Sequence, residues 1–212
     1  MTLRPRIIVS HPTGNTFVRA LIEELDSLDQ LERFYTAIGM GKDVNPLTRV
    51  LASRRKYSIP DSRISRQWFP EACRLFPFGQ GCQEQRRRRV DQSYESLDLK
   101  VAKALHRHPG FSLHAYEDGA AESFRIAKEL GIRRSYEMPI AHWATVRRLL
   151  AEEAERLPDW EPTLESTREP ESKLVRKEIE LSLADCITCP SEFVLRSIPK
   201  KIRAVKPCQV AP

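Results

Sequence analysis

The sequence lacks long hydrophobic runs. No stretch approaches the ~18 apolar residues that a membrane-spanning helix needs, and the N-terminus has no apolar core of the kind found in signal peptides. The five cysteines are odd in number and scattered, which suits reduced thiols better than a disulfide framework. These absences argue against a secreted or membrane-spanning protein, and we expect a cytoplasmic one.

A complete set of metal ligands is also missing. Cys186 and Cys189 form a C-x-x-C pair, but no second pair and no histidine at ligand spacing accompanies them. A tetrahedral zinc site needs four ligands, so these two thiols cannot close one. We predict two strand or core cysteines and no bound metal.

Glycine is scarce in the turn where a nucleotide cofactor would need it. Residues 7–28 indicate a buried strand, a turn containing Gly14 and an amphipathic helix. This turn has one glycine and no lysine, so neither the dinucleotide fingerprint nor a P-loop is present, and we predict no cofactor bound by this chain. The turn residues His11, Gly14, Asn15 and Thr16 can still bind a phosphate or a sugar hydroxyl of an acceptor. An ordinary turn in which Asn15 or Thr16 caps the helix is the alternative.

Positive charge is concentrated in one segment. The chain carries a net charge of +6. Residues 53–90 hold ten lysines or arginines and three acids, which leaves a balance of about −1 for the rest. The sharpest run is Arg86, Arg87, Arg88 and Arg89, for which we consider contact with an anionic membrane surface or a solvated helix start. No nucleic-acid-binding motif accompanies the run, so we do not expect nucleic acid as the partner.

Six candidate strands alternate with helical segments along the chain. The strands are predicted at 7–9, 31–38, 111–116, 135–140, 185–189 and 204–210. Such alternation is typical of an α/β, Rossmann-like doubly wound, mainly parallel sheet with helices on both faces. We predict a single domain over residues 1–212, with an irregular basic insertion at about 40–85.

Polar residues follow two of these strands, where ligands of open α/β sheets bind. Tyr116, Glu117 and Asp118 come after the third strand, and their carboxylates can accept hydrogen bonds from vicinal sugar hydroxyls. Asp118 is our candidate for a catalytic base. The alternative is that Glu117 or Asp118 caps the next helix. His142 follows the fourth strand and either orients a sugar or phosphate or is a surface residue.

Two stretches carry a more specific pattern. The first is His114–Gly119, with the sequence HAYEDG, followed by a helix over 123–131 and a strand. The second is Glu178, then Ala184-Asp185, then Ser191. Together they resemble the N-terminal half of a family-four (group 1) glycosyltransferase.

The match covers most of the chain outside roughly residues 40–85. The opening Gly14 turn fits it as well. Many members carry a His-Gly pair after the fourth strand, whereas this chain has His142-Trp143, so His142 is a loose match.

The resemblance implies the acceptor-side half of a retaining enzyme with two Rossmann-like domains, the GT-B architecture. Such an enzyme moves a sugar from a nucleotide-sugar donor to an acceptor, here a sugar or a lipid-linked acceptor. In the family, the C-terminal domain carries the E-x7-E motif and most donor contacts. We expect that domain to be missing here, the chain to be inactive alone, and the protein to lie in the cytoplasm, peripheral to the inner face of the membrane if the basic run contacts it. A non-enzymatic basic module that binds RNA or a protein is the alternative.

Overall fold

The structure, a computed structural model, describes residues 6–44, 55–68, 83–108, 110–164 and 169–211. The strands are β1 Ile7–Ser10, β2 Leu31–Thr36, β3 Ile64–Arg66, β4 Ser112–Tyr116, β5 Arg134–Glu137, β6 Cys186–Cys189 and β7 Cys208–Val210. Within these ranges they form one sheet in the order β3-β2-β1-β4-β5-β6-β7, and every neighbouring pair is parallel. The predicted α/β Rossmann-like parallel sheet is confirmed.

Helices connect the strands and cover the sheet. They are α1 Thr16–Ser27, α2 Gln83–Leu105, α3 Ala121–Glu129, α4 Trp143–Arg156, α5 Glu171–Leu183, α6 Glu192–Ser197 and α7 Lys200–Arg203, with 3₁₀ helices at Asp61–Arg63 and Pro158–Thr163. The strand order reverses between β1 and β4. In open α/β sheets, ligands bind beyond the carboxyl ends of the strands at this topological switch point. A ligand site is therefore expected at the loops after β1 and β4.

The alternation of side chains along β1 produces two hydrophobic cores. Val9 faces α1 and packs in a cluster with Ile22 and Phe34. Ile8 faces the opposite side, where its cluster includes Leu97 of α2 and Phe124 of α3. Each fully buried side chain of this size contributes about 1.5–3 kcal/mol by leaving water. Helices therefore lie on both faces, with α1 on one side and α2, α3 and α5 on the other.

The sequence predicts six strands, whereas seven are present in the described residues. The additional strand is β3, which pairs with β2 inside the predicted basic insertion. Nearby, Tyr57 and Ile59 are buried against Phe34. A three-residue edge strand is too short to show a periodic pattern, and Pro60 beside it reads as a loop signal. Residues 45–54 and 69–82 of the insertion lie outside the described residues.

The last strand is shorter than predicted. Residues 204–210 were expected to form it, but only Cys208–Val210 are extended and Lys200–Arg203 form a helix. Ala204 continues the turn of that helix, because its backbone N–H bonds to the carbonyl oxygens of Ile202 and Lys200.

The C-x-x-C pair lies in β6, as predicted. Two residues three apart on a strand point to opposite faces of the sheet. Cys189 is buried in the hydrophobic core, whereas Cys186 is only partly buried. Among the described residues no group of three metal-ligating side chains could hold an ion, while Cys73 and Cys82 lie outside them. The absence of a metal stays a prediction.

No helix in the described part of the chain is long and apolar enough to cross a membrane.

The turn after β1 depends on Gly14. Its φ of +63° is in the left-handed region, and a Cβ there would lie 1.9 Å from the Tyr57 hydroxyl oxygen. We expect Gly14→Ala to lower the free energy of unfolding by roughly 2–4 kcal/mol, through left-handed strain and an overpacked contact. Gly131 is the matched control, with a φ of +67° and open space around it, so Gly131→Ala should cost about 1–2 kcal/mol. Urea denaturation measures both, and equal losses would show that Tyr57 yields without cost.

Candidate functional site

The loops after β1 and β4 meet at the carboxyl edge of the sheet. β1 and β4 are hydrogen-bonded neighbours, with Ser10 paired to Ala115. The next residue on each strand carries an aromatic ring, and the centroids of His11 and Tyr116 lie 4.1 Å apart. Residues about 100 positions apart in the sequence are therefore brought together at the switch point.

His11 shapes the turn that contains Gly14. Its Nδ1 accepts hydrogen bonds from the backbone N–H groups of Gly14, at 2.9 Å, and Thr13, at 3.3 Å. The ring is buried, and burial lowers the pKa of His11 to about 4, so it is neutral at pH 7 with its proton on Nε2. The N–H groups that were predicted to hold a phosphate or hydroxyl bond to His11 here.

The start of α1 shows the local role that was the alternative for this turn. Asn15 is the N-cap, and its side-chain oxygen accepts a hydrogen bond from the Val18 N–H at 2.8 Å. Capping of this kind stabilises a helix by about 1 kcal/mol. Thr16 and Phe17 follow with exposed side chains on the carboxyl edge.

A buried group of charges follows β4. Lys177 of α5 places its Nζ 3.2 Å from Glu117 Oε2 and 3.2 Å from Asp118 Oδ1. Lys177 and Glu117 are each only 5% exposed. Asp118 has a φ of +69°, a left-handed conformation that costs a non-glycine residue of order 1–3 kcal/mol. Such strain persists only where surrounding contacts hold it, and it is frequent at functional sites.

A second lysine extends this group. Lys173 lies 3.3 Å from Asp118 Oδ2, 3.1 Å from Asp91 of α2 and 3.2 Å from Glu169. Burial lowers the pKa of Lys173, but the three carboxylates outweigh burial, and the pKa lies above its usual value. We call Glu117, Asp118, Lys173 and Lys177 the edge cluster.

Within the edge cluster, the pKa values of Glu117 and Lys177 are both shifted upward. Burial raises the pKa of Glu117 to about 7, although the Lys177 charge opposes the shift. Burial also lowers the pKa of Lys177, but Glu117 and Asp118 outweigh it, and the net shift is upward. The lysine therefore stays charged at neutral pH while Glu117 titrates there. The 14% of the Asp118 side chain that is exposed makes it the accessible carboxylate next to both lysines.

Neither Glu117 nor Asp118 caps α3, which was the alternative for them. The N-cap Ala120 offers no side-chain acceptor. Instead Glu180 of α5 accepts from the N–H groups of Asp118 and Ala120, both at 2.9 Å. Asp98 of α2 accepts from two N–H groups in the first turn of α3, those of Glu122 at 2.7 Å and Ser123 at 2.9 Å.

Asp98 and Glu180 were not predicted as functional residues. In the sequence, each of them is an acid within the apolar stripe of an amphipathic helix. The bonds to the backbone at the start of α3 explain why an acid lies there.

His142 also lies on the carboxyl edge, after β5, and it is buried. Its Nε2 lies 2.9 Å from Glu178 Oε1, and the Trp143 indole N–H donates to the same oxygen at 2.7 Å. The surface alternative for His142 is therefore wrong. Glu178 bonds to these two rings because α5 packs beside the loop after β5. Burial lowers the pKa of His142, and Glu178 only partly offsets it.

The four arginines lie at the start of α2, close to the edge cluster. Arg86 and Arg88 are exposed, and Arg88 pairs with Glu84 at 2.6 Å. Asp91, which pairs with Lys173 of the edge cluster at 3.1 Å, comes two residues after Arg89 and five after Arg86, a rise of about 3–8 Å along the helix. The basic run therefore begins within about two helical turns of the edge cluster.

A groove of about 720 Å³ lies on the sheet face between α1 and strands β4 to β6, and its lining is mostly apolar. Three polar side chains lie within it: His114 Nδ1 is 3.0 Å from Ser135 Oγ, and Nε2 is 3.2 Å from Glu137 Oε2. These side chains bond to one another. The groove runs along the strands and reaches the carboxyl edge at Asn15, Pro139 and Pro190. We take the edge as the candidate site because charged groups converge there at the switch point.

No family model and no curated protein matches the chain. Solved structures do share its fold. They include TcCGT1 in complex with UDP (TM-score 0.57, 13% identity, 99% of this chain and 51% of that one). Another is Arabidopsis thaliana UGT89C1 complexed with UDP-L-rhamnose, with a TM-score of 0.52 and 13% identity over 100% of this chain and 52% of that one. A third is Phytolacca americana UGT2 complexed with UDP-2-fluoro-glucose and pterostilbene, with a TM-score of 0.50 and 12% identity over 100% of this chain and 54% of that one.

These neighbours are UDP-glycosyltransferases, and the chain spans about half the length of each. Identities near 13% show a common fold alone. The chain is thus a Rossmann-like α/β fold of the kind that solved GT-B glycosyltransferases contain.

The raised pKa of Glu117 gives a pH dependence of stability. The unfolded chain releases this proton near pH 4.5, whereas the folded state keeps it to about pH 7. The group therefore favours folding at low pH, and its contribution is lost as the pH rises between these values. We expect the unfolding free energy of the wild type minus that of Glu117→Gln to fall by on the order of 2–3 kcal/mol between pH 4.5 and 8.

Chemical denaturation across this pH range measures the difference. Glu152→Gln removes an exposed carboxylate of α4 and should leave the pH dependence as in the wild type. A difference that does not vary with pH would show that Glu117 is ionised throughout.

Proposed function

We propose that this chain is the acceptor-side half of a glycosyltransferase. The edge cluster binds a hydroxyl group of a sugar or lipid-linked acceptor, and a nucleotide sugar supplies the glycosyl group. The proposal draws on the resemblance of the HAYEDG and Glu178–Ser191 segments, on the fold shared with solved UDP-glycosyltransferases, and on the geometry after β4.

The observation that carries the proposal is the position of Asp118. Its carboxylate lies at the carboxyl end of β4, beside the switch point, within 3.3 Å of two lysine Nζ atoms, and it is partly exposed. A carboxylate accepts hydrogen bonds from hydroxyl groups, and within hydrogen-bond reach it can take their proton as a general base. The lysines and the bonds around the loop keep this carboxylate in one orientation.

The neighbouring residues complete the acceptor pocket in this proposal. His11, Gly14, Asn15 and Thr16 form the rim on the β1 side, Tyr116 and Glu117 lie on the β4 side, and His142 is on the β5 side. His11 acts through its bonds to the Gly14 turn, and Asn15 through the cap of α1. His142 is held by Glu178, so its ring has a fixed orientation.

The nucleotide sugar belongs to a second part of the enzyme in this proposal. The solved neighbours are about twice the length of this chain, and their titles name UDP or a UDP-sugar. We infer that a C-terminal domain supplies the donor contacts, and that this chain binds no cofactor of its own. Transfer requires the two substrates in near-attack geometry, an effect worth up to ~7–11 kcal/mol.

The 212-residue chain should melt cooperatively and give no turnover with UDP-, GDP- or ADP-linked hexoses. Joined to, or mixed with, a donor-binding domain, it should transfer sugar, and Asp118→Asn should then lower kcat/KM by roughly 10²–10⁴-fold. Asp91→Asn is the matched control, since Asp91 also pairs with Lys173 but lies on α2. Turnover by the chain alone would contradict the assignment of half an enzyme, and equal effects of the two variants would remove Asp118 from the reaction.

We also propose that the arginines at the start of α2 contact an anionic surface, such as a membrane that carries the acceptor. They extend about 18 Å past the N-terminus of α3, on the side where an acceptor would approach. Each charge near an anionic leaflet contributes about 1 kcal/mol. A partner RNA or protein is the competing explanation for the same charges.

Replacing Arg86, Arg87, Arg88 and Arg89 with Gln should abolish salt-sensitive binding to phosphatidylglycerol vesicles in a flotation assay. The control removes four exposed arginines elsewhere, Arg125, Arg148, Arg156 and Arg196, and should retain most of the binding. Binding should weaken as salt shortens the Debye length below ~8 Å. Equal binding to phosphatidylcholine vesicles, or tighter binding to RNA at the same salt, would contradict a membrane contact.

A further inference from the structure

Glu180 is a fully buried carboxylate that faces three hydrogen-bond donors. Its Oε2 accepts from the Asp118 N–H at 2.9 Å and the Tyr136 hydroxyl at 3.1 Å, and its Oε1 accepts from the Ala120 N–H at 2.9 Å. The two backbone donors lie in a loop about 60 residues away in the sequence. A side chain of α5 therefore determines where this loop runs.

The two N–H groups that Glu180 binds flank Gly119, directly beside the strained residue Asp118. A left-handed aspartate returns to an ordinary conformation unless its neighbours are held. Local bonds do little here, since the 3.2 Å bond from the Gly119 N–H to the Tyr116 carbonyl only closes the turn. The carboxylate of Glu180 binds the backbone on both sides of Gly119 and so fixes the direction of the Asp118 side chain.

We propose that Glu180 is the positioning residue of the edge cluster, and that its bonds to the Asp118 and Ala120 N–H groups hold the loop after β4 so that Asp118 meets Lys173 and Lys177. This rests on the proposed function only where Asp118 is taken to act on an acceptor. Glu180 itself is buried behind the loop and touches no substrate.

Asp98 provides a natural comparison. It binds the N–H groups of Glu122 and Ser123, one step further into α3, and it makes no bond to the loop. Both acids are buried and both cap the same helix. A role in capping alone predicts the same consequences for both, whereas a role in positioning predicts that only Glu180 affects Asp118 and Lys177.

The surroundings of Glu180 make this hold depend on protonation. The titratable groups around it are Asp118 in the loop, Tyr136 on β5 and Asp98 on α2, with Lys177 one turn earlier on α5 and bound to Glu117 and Asp118. Burial raises the pKa of Glu180 to about 8, although its bonds to the Ala120 and Asp118 N–H groups oppose the shift. Protonation turns one of the two carboxyl oxygens into a donor and leaves the other as an acceptor, so one of the two N–H groups loses its partner and the loop is held less tightly as the pH falls.

The test is an amide NMR titration of the isotope-labelled full chain. In the wild type, the amide signals of Asp118 and Ala120 should move together with one midpoint, well above the ordinary carboxyl range near ~4.3. In Glu180→Gln this movement should vanish, hydrogen exchange at both amides should accelerate at least tenfold, and the Lys177 ammonium signal should shift. In Asp98→Asn, changes should be confined to the amides of Glu122 and Ser123.

Independent titration of the Asp118 and Ala120 amides, or a common midpoint in the ordinary carboxyl range, would overturn the proposal. A Lys177 signal that moves as much in Asp98→Asn as in Glu180→Gln would also overturn it. The wild-type titration decides the matter even if Glu180→Gln does not fold. None of these readouts uses sugar transfer, so they remain valid if the proposed function is wrong. If sugar transfer responds to Asp118→Asn but the NMR changes expected for Glu180 are absent, only the positioning role is rejected.

Discussion

The rest of the carboxyl edge depends on the ion pairs that Lys177 makes with Glu117 and Asp118. Three charges are removed from water together, and removing one member of such a group typically costs 3–5 kcal/mol because another charge is left unpaired. The contact joins the middle of α5 to the loop after β4, beside the bonds that Lys173 and Glu180 of the same helix make to this loop. The contact thereby fixes the position of α5 along the strand direction of the sheet. This position places Lys173 and Glu178 of α5, and His142 bound to Glu178, relative to the same loop.

The sequence predicts the elements of this fold well where a periodic pattern is long. The Ile7–Val9 run, the stripe of α1 and the spacing along α2 lead directly to a parallel α/β sheet. Short edge elements escape because three residues show no period, as β3 demonstrates, and because a helix such as Lys200–Arg203 has too few residues for a stripe. In each of these cases pairing or packing with distant residues decides the outcome.

The candidate site could be predicted in part for the same reason. His11, Glu117 and Asp118 follow strands directly, so the rule that ligands bind beyond strand ends is enough to select them. The other charged residues of the site lie within helices, where the sequence predicts solvated or paired charges. They are Lys173, Lys177, Asp98 and Glu180. Nothing in the sequence indicates that α5 passes beside His142, so the contact of Glu178 with this ring could not be predicted. Only the packing of helices on the sheet brings these side chains to the edge.

The N-terminus of α3 has a further consequence for folding. Helices normally begin at a residue whose own side chain satisfies the first free N–H groups, which lets the helix form early from local sequence. α3 begins at Ala120, and its acceptors come from α2, some 20 residues before, and α5, some 60 after. We therefore expect the start of this helix to become stable only once α2 and α5 have docked against it.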